Sequence, residues 1–322
     1  MKRFVIFREK RFDDNNFCNT QIDQNLSPFW HVRNQYGSDN FFSYNQLSNK
    51  NDPSHSILCF LTPAIINLSH YIKLFFQSTH LPKYLFLLEP PVVAPLTYSK
   101  LFHRFFDRIY TWDDDLVDNK KYFKFIWPQS SSQNLQPVHF HDKKFLCLMN
   151  GNKSSFIKNE LYSAREKAIR YFEKNHIEFD LYWVGWNKKN IKQKIFGYAP
   201  YASYKWKVND KIAVLSEYKF TICFENMSSK NGYITEKIWD AFKAKTVPIY
   251  RWAENIETYV PKNCFIDFRD FDYDFEKLHT FLNAMQESDY NTYIRNIMNF
   301  LGSADAKKRF DKDWAANFIS RL

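Results

Sequence analysis

The chain has 322 residues, a length typical of two domains of ordinary size. Aromatic residues make up 19% of it, which excludes an intrinsically disordered protein. The net charge of +10 favours an anionic partner such as a phosphorylated substrate, nucleic acid or an acidic membrane, but the basic residues are scattered and a solvated surface explains most of them.

Short apolar runs and helical patterns alternate along the first part of the chain. Strands are predicted at 3–7, 56–62 and 83–89, and helices at 67–78 and 99–110. Pro90 and Pro91 follow the third strand and predict a sharp exit from it. The polar stretch 128–137 is the best candidate for a linker.

The same alternation continues behind this linker. Strands are predicted at 144–150, 179–185, 220–224, 246–252 and 264–271, and helices at 159–175, 234–245 and 275–285. Alternation of this kind indicates parallel α/β sheets, which bind ligands at the carboxyl ends of their strands. We therefore predict two α/β domains, at 1–142 and 143–322, with a ligand in the cleft between them. Whether the last helix packs back on the first domain stays open.

The five cysteines are far apart, odd in number and include no CxxC motif. Most lie in apolar runs, so free buried thiols in a reducing compartment are expected, with neither a disulfide framework nor a zinc site. The first apolar segment is too short for a signal peptide, and no run reaches the roughly 20 apolar residues of a membrane span. These features predict a cytoplasmic protein, with peripheral contact to an anionic membrane left open.

Polar residues crowd the junction between the strand at 220–224 and the helix that follows it, in FENMSSKNGYITEKIWDAF. Ile234, Ile238 and Phe242 have the spacing of a buried helical stripe. Glu236 and Lys237 fall in the first turn, where unpaired N–H groups suit an anion and a lysine suits a phosphate. The structural alternative is that Thr235 or Asn231 caps the helix while Glu236 complements its dipole.

A second acidic group, Asp113 to Asp115 in WDDDLV, contains a DxD pattern. Such a pattern can hold Mn²⁺ or Mg²⁺ on nucleotide phosphates. Three carboxylates that open a helix also satisfy its dipole without any metal, and we favour this second interpretation.

The junction at 224–242, followed by TVPIYRW and CFIDFRDF, resembles the α-1,3-fucosyltransferases of glycosyltransferase family 10. Their donor motif reads FEN, a short variable loop, YxTEK, a helix and a strand like VPIY. The specific match spans about fifty residues, weaker agreement runs from about Lys83 to Phe271, and residues 1–80 show little. The resemblance implies a GT-B architecture of two Rossmann-like, doubly wound domains that face a central cleft.

The resemblance also implies roles for single residues. Lys237 would contact the phosphates of GDP-fucose and Glu236 its ribose. Tyr233 and Asn226 would line the same pocket, with Glu225 near the sugar or supporting the loop. An arginine on the helix after the first strand of this half would bind the diphosphate; Arg165 fits its place best, with Lys158 as a rival. If Lys158 holds that place, a point charge replaces a bidentate guanidinium.

Inverting sugar transfer also needs a carboxylate that takes the proton of the acceptor hydroxyl. Glu89 ends an apolar strand just before two prolines, at the position of the family's general base. We therefore predict a metal-independent inverting transferase that moves fucose from GDP-β-L-fucose to GlcNAc or glucose in a glycan, through an α-1,3 linkage. Lipopolysaccharide or capsule precursors are the expected acceptors.

Three alternatives remain open at this stage. The chain could use another sugar nucleotide or form another linkage. It could be a metal-dependent transferase that uses Asp113 and Asp115. It could also be a basic nucleic-acid-binding protein without catalysis, although that leaves Glu89 and the TEK residues unexplained.

Overall fold

The computed structural model describes residues 2–61, 72, 74, 76–131, 138–197 and 199–322. The chain divides into two compact units, the first formed by Met1–Ser131 and Ala306–Leu322 and the second by Ser132–Asp305. Each unit contains one parallel β-sheet with helices packed on it. The predicted α/β fold with two parallel sheets is therefore confirmed.

Eleven strands are found among the described residues. They are β1 (Arg3–Phe7), β2 (Phe41–Ser43), β3 (His55–Cys59), β4 (Lys83–Leu87), β5 (Arg108–Thr111), β6 (Tyr122–Lys124), β7 (Lys144–Met149), β8 (Phe179–Tyr182), β9 (Tyr218–Phe224), β10 (Val247–Arg251) and β11 (Ile266–Asp267).

The α-helices of the same described ranges are mostly short. They are α1 (Ser27–Tyr36), α2 (Lys100–His103), α3 (Tyr162–Lys174), α4 (Ile191–Phe196), α5 (Lys211–Ser216), α6 (Glu236–Lys243), α7 (Phe275–Ala284), α8 (Glu287–Gly302), α9 (Ala304–Lys307) and α10 (Asp311–Arg321). None of the helices in these ranges has both the length and the apolar character that crossing a bilayer requires.

The first sheet has the order β2-β1-β3-β4-β5-β6 and all its pairings are parallel. The last helix, α10, belongs to this unit and packs against α1, where the rings of Phe29 and Trp314 lie 5.3 Å apart. Phe318 stacks on Trp314 and reaches the ring of Phe86 on β4. The end of the chain thus closes the core of the first unit.

The second sheet has the order β11-β10-β9-β7-β8, again with parallel pairings throughout. The chain moves to one side from β7 to β8 and to the other side from β9 to β10 and β11. The winding therefore reverses between β7 and β9, and this is the point at which doubly wound sheets bind ligands beyond their carboxyl ends. The sequence FEN begins there, because Phe224 is the last residue of β9.

Two predicted elements differ from the observed ones. The helix expected over 99–110 is confined to α2, because residues 108–111 pair with β4 as strand β5 and Asp107 accepts the backbone N–H of Lys83. The strand expected over 264–271 is reduced to β11. The helix predicted at 67–78 lies largely outside the described residues, as does much of the predicted linker at 128–137.

All five cysteines are free and buried, as the sequence predicted. They pack in strands and loops of the two cores, where burial raises the pKa of Cys59, Cys147 and Cys223. These thiols are therefore held in the neutral form and act as small apolar side chains.

Candidate active site at the end of strand β9

Glu225, the first residue after β9, is fully buried and both of its carboxylate oxygens are occupied. Oε1 accepts the backbone N–H of Thr235 at 2.8 Å. Oε2 accepts the Thr235 hydroxyl at 2.8 Å and the Lys237 ammonium at 3.0 Å. Glu225 therefore anchors the start of α6 to the end of β9.

Thr235 is the N-cap residue of α6, but its side chain makes no capping bond to the helix. Its hydroxyl instead joins Glu225 to Lys237, whose ammonium donates to it at 2.7 Å. The predicted stripe of Ile234, Ile238 and Phe242 is buried, as expected. The rest of α6 is buried as well, so that the stripe is only part of what the helix packs.

Lys237 lies in the first turn of α6 with a side chain that is only 7% exposed. Burial would lower its pKa, but the charges of Glu225 and Glu236 outweigh burial and raise that pKa above its usual value. Two of the three ammonium N–H groups serve Glu225 and Thr235, while Glu236 at 3.6 Å is too distant for a hydrogen bond. Within the described residues, the third N–H has no hydrogen-bond acceptor.

Glu236 is the most exposed carboxylate of this junction, with 44% of its side chain accessible. Partial burial opposes its ionisation, but Lys237 and Lys211 prevail and lower its pKa to about 2. The side chain therefore presents an ionised hydrogen-bond acceptor to solvent at neutral pH.

Arg165, in the first turn of α3, is 2% exposed and reaches across to the end of β9. Its Nη2 donates to the carbonyl of Phe224 at 2.6 Å and to Oδ1 of Asn226 at 2.9 Å, and its Nε donates to the same carbonyl at 3.2 Å. Burial lowers its pKa, while nearby groups that include Glu225 act in the opposite direction. Arg165 thus fixes the FEN turn on its side facing α3.

Asn226 and Tyr233 complete the junction. The amide of Asn226 donates to the Tyr233 hydroxyl at 3.1 Å, and the Tyr233 carbonyl accepts the Tyr250 hydroxyl at 3.3 Å. Between them, Gly232 has φ +78°, a conformation that glycine adopts without strain. The structure thus brings six of the predicted donor residues together: Arg165, Glu225, Asn226, Tyr233, Glu236 and Lys237.

Two predicted site residues take no part in these contacts among the described residues. Lys158 is exposed on the loop between β7 and α3. Glu89 is partly exposed and belongs to the first unit, two residues beyond the end of β4 and directly before Pro90. Their assigned roles stay predictions.

Sequence reasoning missed Arg251, the last residue of β10. Its guanidinium lies 4.3 Å from the ring centre of Tyr273 and 5.9 Å from that of Phe224. Burial lowers its pKa, its Nε is buried, and no hydrogen bond or ion pair of this side chain is found among the described residues. No short motif marks such a residue. The available signal was an arginine at the carboxyl end of a strand that pairs with β9.

The Asp113 to Asp115 group forms a turn rather than the start of a helix, so this prediction was wrong. Asp113 accepts the Tyr98 hydroxyl and the N–H of Asp115, and Asp114 pairs with Lys124. Across the described ranges, no cluster of three or more His, Cys, Asp or Glu side chains is placed to hold a metal ion.

Residues 143–300 match the model of the glycosyltransferase family 10 (fucosyltransferase) C-terminal domain. The chain is 37% identical over 98 residues to an α-(1,3)-fucosyltransferase, FucT, of Helicobacter pylori, which covers 29% of this chain and 20% of that protein. It is 46% identical over 68 residues to a mouse 4-galactosyl-N-acetylglucosaminide 3-α-L-fucosyltransferase, a match to 20% of this chain and 19% of that one. The matches therefore span about a fifth of these relatives.

Solved structures extend the similarity to the whole chain. A crystal structure of an α1,3-fucosyltransferase has a TM-score of 0.58 at 16% identity and covers 99% of this chain and 90% of its own. An α-glucosyltransferase in complex with UDP and DNA has a TM-score of 0.54 at 10% identity, over 100% and 99% of the two chains. At these identities the likeness supports the fold, which is that of GT-B glycosyltransferases. Residues 143–300 thus form a domain of the glycosyltransferase family 10 (fucosyltransferase) C-terminal type.

Proposed function

We propose that this glycosyltransferase moves L-fucose from GDP-β-L-fucose to a hydroxyl of GlcNAc or glucose in a glycan acceptor, with inversion and through an α-1,3 linkage. The observation that carries the proposal is the buried ammonium of Lys237, which keeps one N–H for a ligand at the start of α6. An anion at this point also meets the unpaired N–H groups of the first turn of α6. The family match at 143–300 supports fucose as the sugar.

The proposed donor contacts follow from the surroundings of Lys237. Its third N–H binds a diphosphate oxygen, and Glu236 accepts hydrogen bonds from the ribose hydroxyls. Asn226 and Tyr233 line the same pocket and are already held in place by Arg165 and by each other. Little reorganisation is then needed when the donor binds, which favours affinity.

Two further cations are assigned to the anionic donor. Lys158, on the exposed loop before α3, has the freedom to reach a phosphate that the buried Arg165 lacks. Arg251 adds a guanidinium from the end of β10. Together with Lys237 they stabilise the negative charge that develops on GDP as it leaves, which is commonly the largest catalytic contribution.

In the proposed reaction the acceptor oxygen attacks the anomeric carbon of fucose. The bond from that carbon to the β-phosphate oxygen breaks, and its electron pair leaves with GDP. Glu89 takes the proton of the acceptor hydroxyl. Glu225 is unsuited to this role, because its two oxygens already accept three hydrogen bonds from Thr235 and Lys237.

The donor is tested by assaying transfer from GDP-fucose, GDP-mannose, UDP-glucose and UDP-galactose to lactose and N-acetyllactosamine. Turnover with GDP-fucose alone is expected. Turnover with another nucleotide sugar instead would replace the proposed donor with that sugar. We also expect equal rates with and without EDTA, because lysine and arginine rather than a metal ion face the phosphates in this proposal. Loss of activity in EDTA would contradict that part of it.

The acceptor is proposed to be a precursor of lipopolysaccharide or capsule in the cytoplasm, with GlcNAc or glucose as the residue that receives fucose. A glycan acceptor screen with GDP-fucose, followed by linkage analysis of the product, tests both the sugar and the α-1,3 bond. A product linked through another hydroxyl would overturn the proposed linkage and leave the donor assignment standing. Salt-sensitive binding to duplex DNA without transfer to any glycan would instead support the nucleic-acid-binding alternative.

A further inference from the structure

Helix α4 exposes apolar side chains and buries a polar one, which is the opposite of the usual arrangement in a globular protein. Gln193 is 4% exposed, whereas Ile191, Ile195 and Phe196 are 55%, 61% and 77% exposed. Helices on soluble proteins ordinarily bury the apolar stripe and expose the polar one. The exposed apolar face of α4 is therefore expected to contact a binding partner.

The inward face of α4 is held by a network of neutral polar groups and one carboxylate. Asn190 and Gln193 form a capping box, in which each side chain accepts the backbone N–H of the other at 2.9 and 3.1 Å. Gln193 also donates to Glu166 at 3.0 Å, and Asn190 donates to Asn152 at 2.7 Å. These bonds fix the orientation of α4, so its apolar side chains point outward because of the fold rather than through fraying.

A neighbouring loop extends the exposed apolar surface. Phe156 and Ile157 are 61% and 36% exposed, and the Lys192 ammonium lies 5.7 Å from the Phe156 ring centre while it pairs with Glu160. We call the surface formed by Phe156, Ile157, Ile191, Ile195 and Phe196 the α4 surface. Exposed apolar side chains grouped in this way mark interaction sites more often than isolated ones do.

The two chain segments that carry the α4 surface contribute charge of one sign. Segments 152–158 and 184–197 contain no Asp or Glu and hold six lysines: Lys153, Lys158, Lys188, Lys189, Lys192 and Lys194. All but Lys192 are exposed. An apolar face ringed by lysines combines the two features of peptides and proteins that rest on anionic bilayers.

We propose that the α4 surface docks this protein on a membrane that contains anionic lipids. Ile191, Ile195 and Phe196 enter the boundary between head groups and acyl chains, while Lys188, Lys189 and Lys194 meet lipid phosphates. A second copy of the chain is a poorer occupant, since a symmetric contact would place lysines against lysines. Nucleic acid would use the lysines but would leave the isoleucines and Phe196 exposed.

The test is co-sedimentation of the whole protein with vesicles of pure phosphatidylcholine and with vesicles of equal parts phosphatidylcholine and phosphatidylglycerol. We expect pelleting with the anionic vesicles only. Replacing Lys188, Lys189 and Lys194 by alanine should weaken that binding on the order of a hundredfold, at the usual contribution of each lysine near an anionic surface. The triple variant Ile191→Ser/Ile195→Ser/Phe196→Ser should weaken it by about tenfold or more.

Control variants carry the same types of substitution at exposed residues outside the α4 surface. Lys167, Lys174 and Lys277 are exposed lysines of the second unit outside the α4 surface, and their triple alanine variant should bind vesicles like the unchanged protein. Phe281 and Met298 are exposed apolar residues of the second unit, and serine at both should also leave binding unchanged. Thermal unfolding of each variant checks that the fold is intact.

Three results would overturn the proposal: no pelleting of the unchanged protein, equal pelleting of the α4 variants and their controls, or a loss confined to the lysine variant. The last result would indicate simple charge attraction without insertion of α4. Because none of the substituted residues is assigned to donor binding or catalysis, all variants should retain GDP binding and transfer to a soluble acceptor. Failure of the membrane proposal is thereby separated from failure of the proposed fucosyltransferase activity.

Discussion

The carboxyl edges of the two sheets are built in opposite ways. Beyond β9, Glu225 is fully buried with both oxygens bonded, and it fixes Thr235 and Lys237. Beyond β4, Glu89 lies partly exposed beside a proline. A carboxylate that is locked into hydrogen bonds can position other groups but cannot exchange a proton with a substrate. Glu225 therefore has a positioning role, and in the proposed function the acid–base step is assigned to Glu89 of the first unit.

The largest expected effect is on the catalytic rate, and it separates the proposed acid–base role from donor binding. Glu89→Gln should reduce kcat by about 10² to 10⁴, the usual contribution of a general base. Its Kd for GDP, measured by calorimetry, should stay unchanged, because no donor contact is assigned to Glu89. Asp114→Asn is the matched control, since it changes a carboxylate at the end of β5 that pairs with Lys124. An active Glu89→Gln enzyme would remove Glu89 as the base. An inactive Asp114→Asn enzyme would mean that losing a carboxylate beyond the first sheet stops transfer without any role as base.

Lys237→Ala tests the hydrogen-bonded residues at the carboxyl edge of the second sheet. Removing the ammonium leaves Glu225 buried without its cation, which costs about 3–5 kcal/mol of unfolding free energy. GDP should bind much more weakly as well, because the phosphate contact is lost. Urea unfolding and calorimetry measure the two effects.

Lys243→Ala provides the control for that experiment. Lys243 pairs with the buried Asp240 at the other end of the same helix, and Asp240 keeps Lys211 as a second partner. We expect a smaller loss of stability and no change in GDP affinity. If Lys237→Ala and Lys243→Ala bind GDP equally well, Lys237 has no phosphate role.

Arg165 and Lys158 should respond differently, although both are candidates for the same task. Arg165→Ala removes three hydrogen bonds to Phe224 and Asn226, at about 1.5–3 kcal/mol for each bond that a charged group makes, so stability and GDP affinity should fall together. Lys158→Ala should lower GDP affinity about tenfold and leave stability unchanged, because the side chain is exposed. If Lys158→Ala keeps full GDP affinity while Arg165→Ala loses affinity without losing stability, Arg165 is the phosphate ligand.

Arg251→Gln removes a guanidinium while keeping a polar side chain of similar length. We expect weaker binding of GDP-fucose by about three- to tenfold, in the range of one charge-assisted hydrogen bond. Unfolding should change little, since the side chain makes no ion pair among the described residues. Unchanged affinity would return Arg251 to the role of a packing residue between Phe224 and Tyr273.

The smallest effect concerns pH. Because Lys237 and Lys211 lower the pKa of folded Glu236 to about 2, its charge stabilises the protein above the ordinary carboxyl range, and this contribution is lost as pH falls toward 2. The stability difference between the unchanged protein and Glu236→Gln should therefore narrow between neutral pH and pH values well below the unfolded pKa. A difference that stays constant over this range would mean that Glu236 acts without its charge.

The sequence predicted the parts of the fold that local pattern controls. Apolar runs located β7 and β9, and helical spacing identified the buried stripe of α6 and most of α3. The prediction failed where the secondary structure of a residue depends on partners far away in the sequence. Residues 108–110 have helical spacing, yet they form a strand because β4 offers a ladder of hydrogen bonds.

The same limit applied to the site. The motif located Lys237 and Glu236, but the burial of Glu225 depends on Thr235, ten positions along the chain. The fixed position of Arg165 depends on a carbonyl 59 residues away, so no local pattern could separate it from Lys158. Arg251 and the reversed faces of α4 became visible only with the side-chain contacts.

The bond from Arg165 to the carbonyl of Phe224 has a practical consequence for protein engineering. With the bonds of Glu225 and Lys237, it closes a set of contacts in which every partner comes from the second unit. Such a self-contained set of contacts can be transferred to another protein together with the second unit. Chimeras that join this unit to the first unit of a fucosyltransferase with another acceptor would test the proposal that the second unit sets the choice of nucleotide.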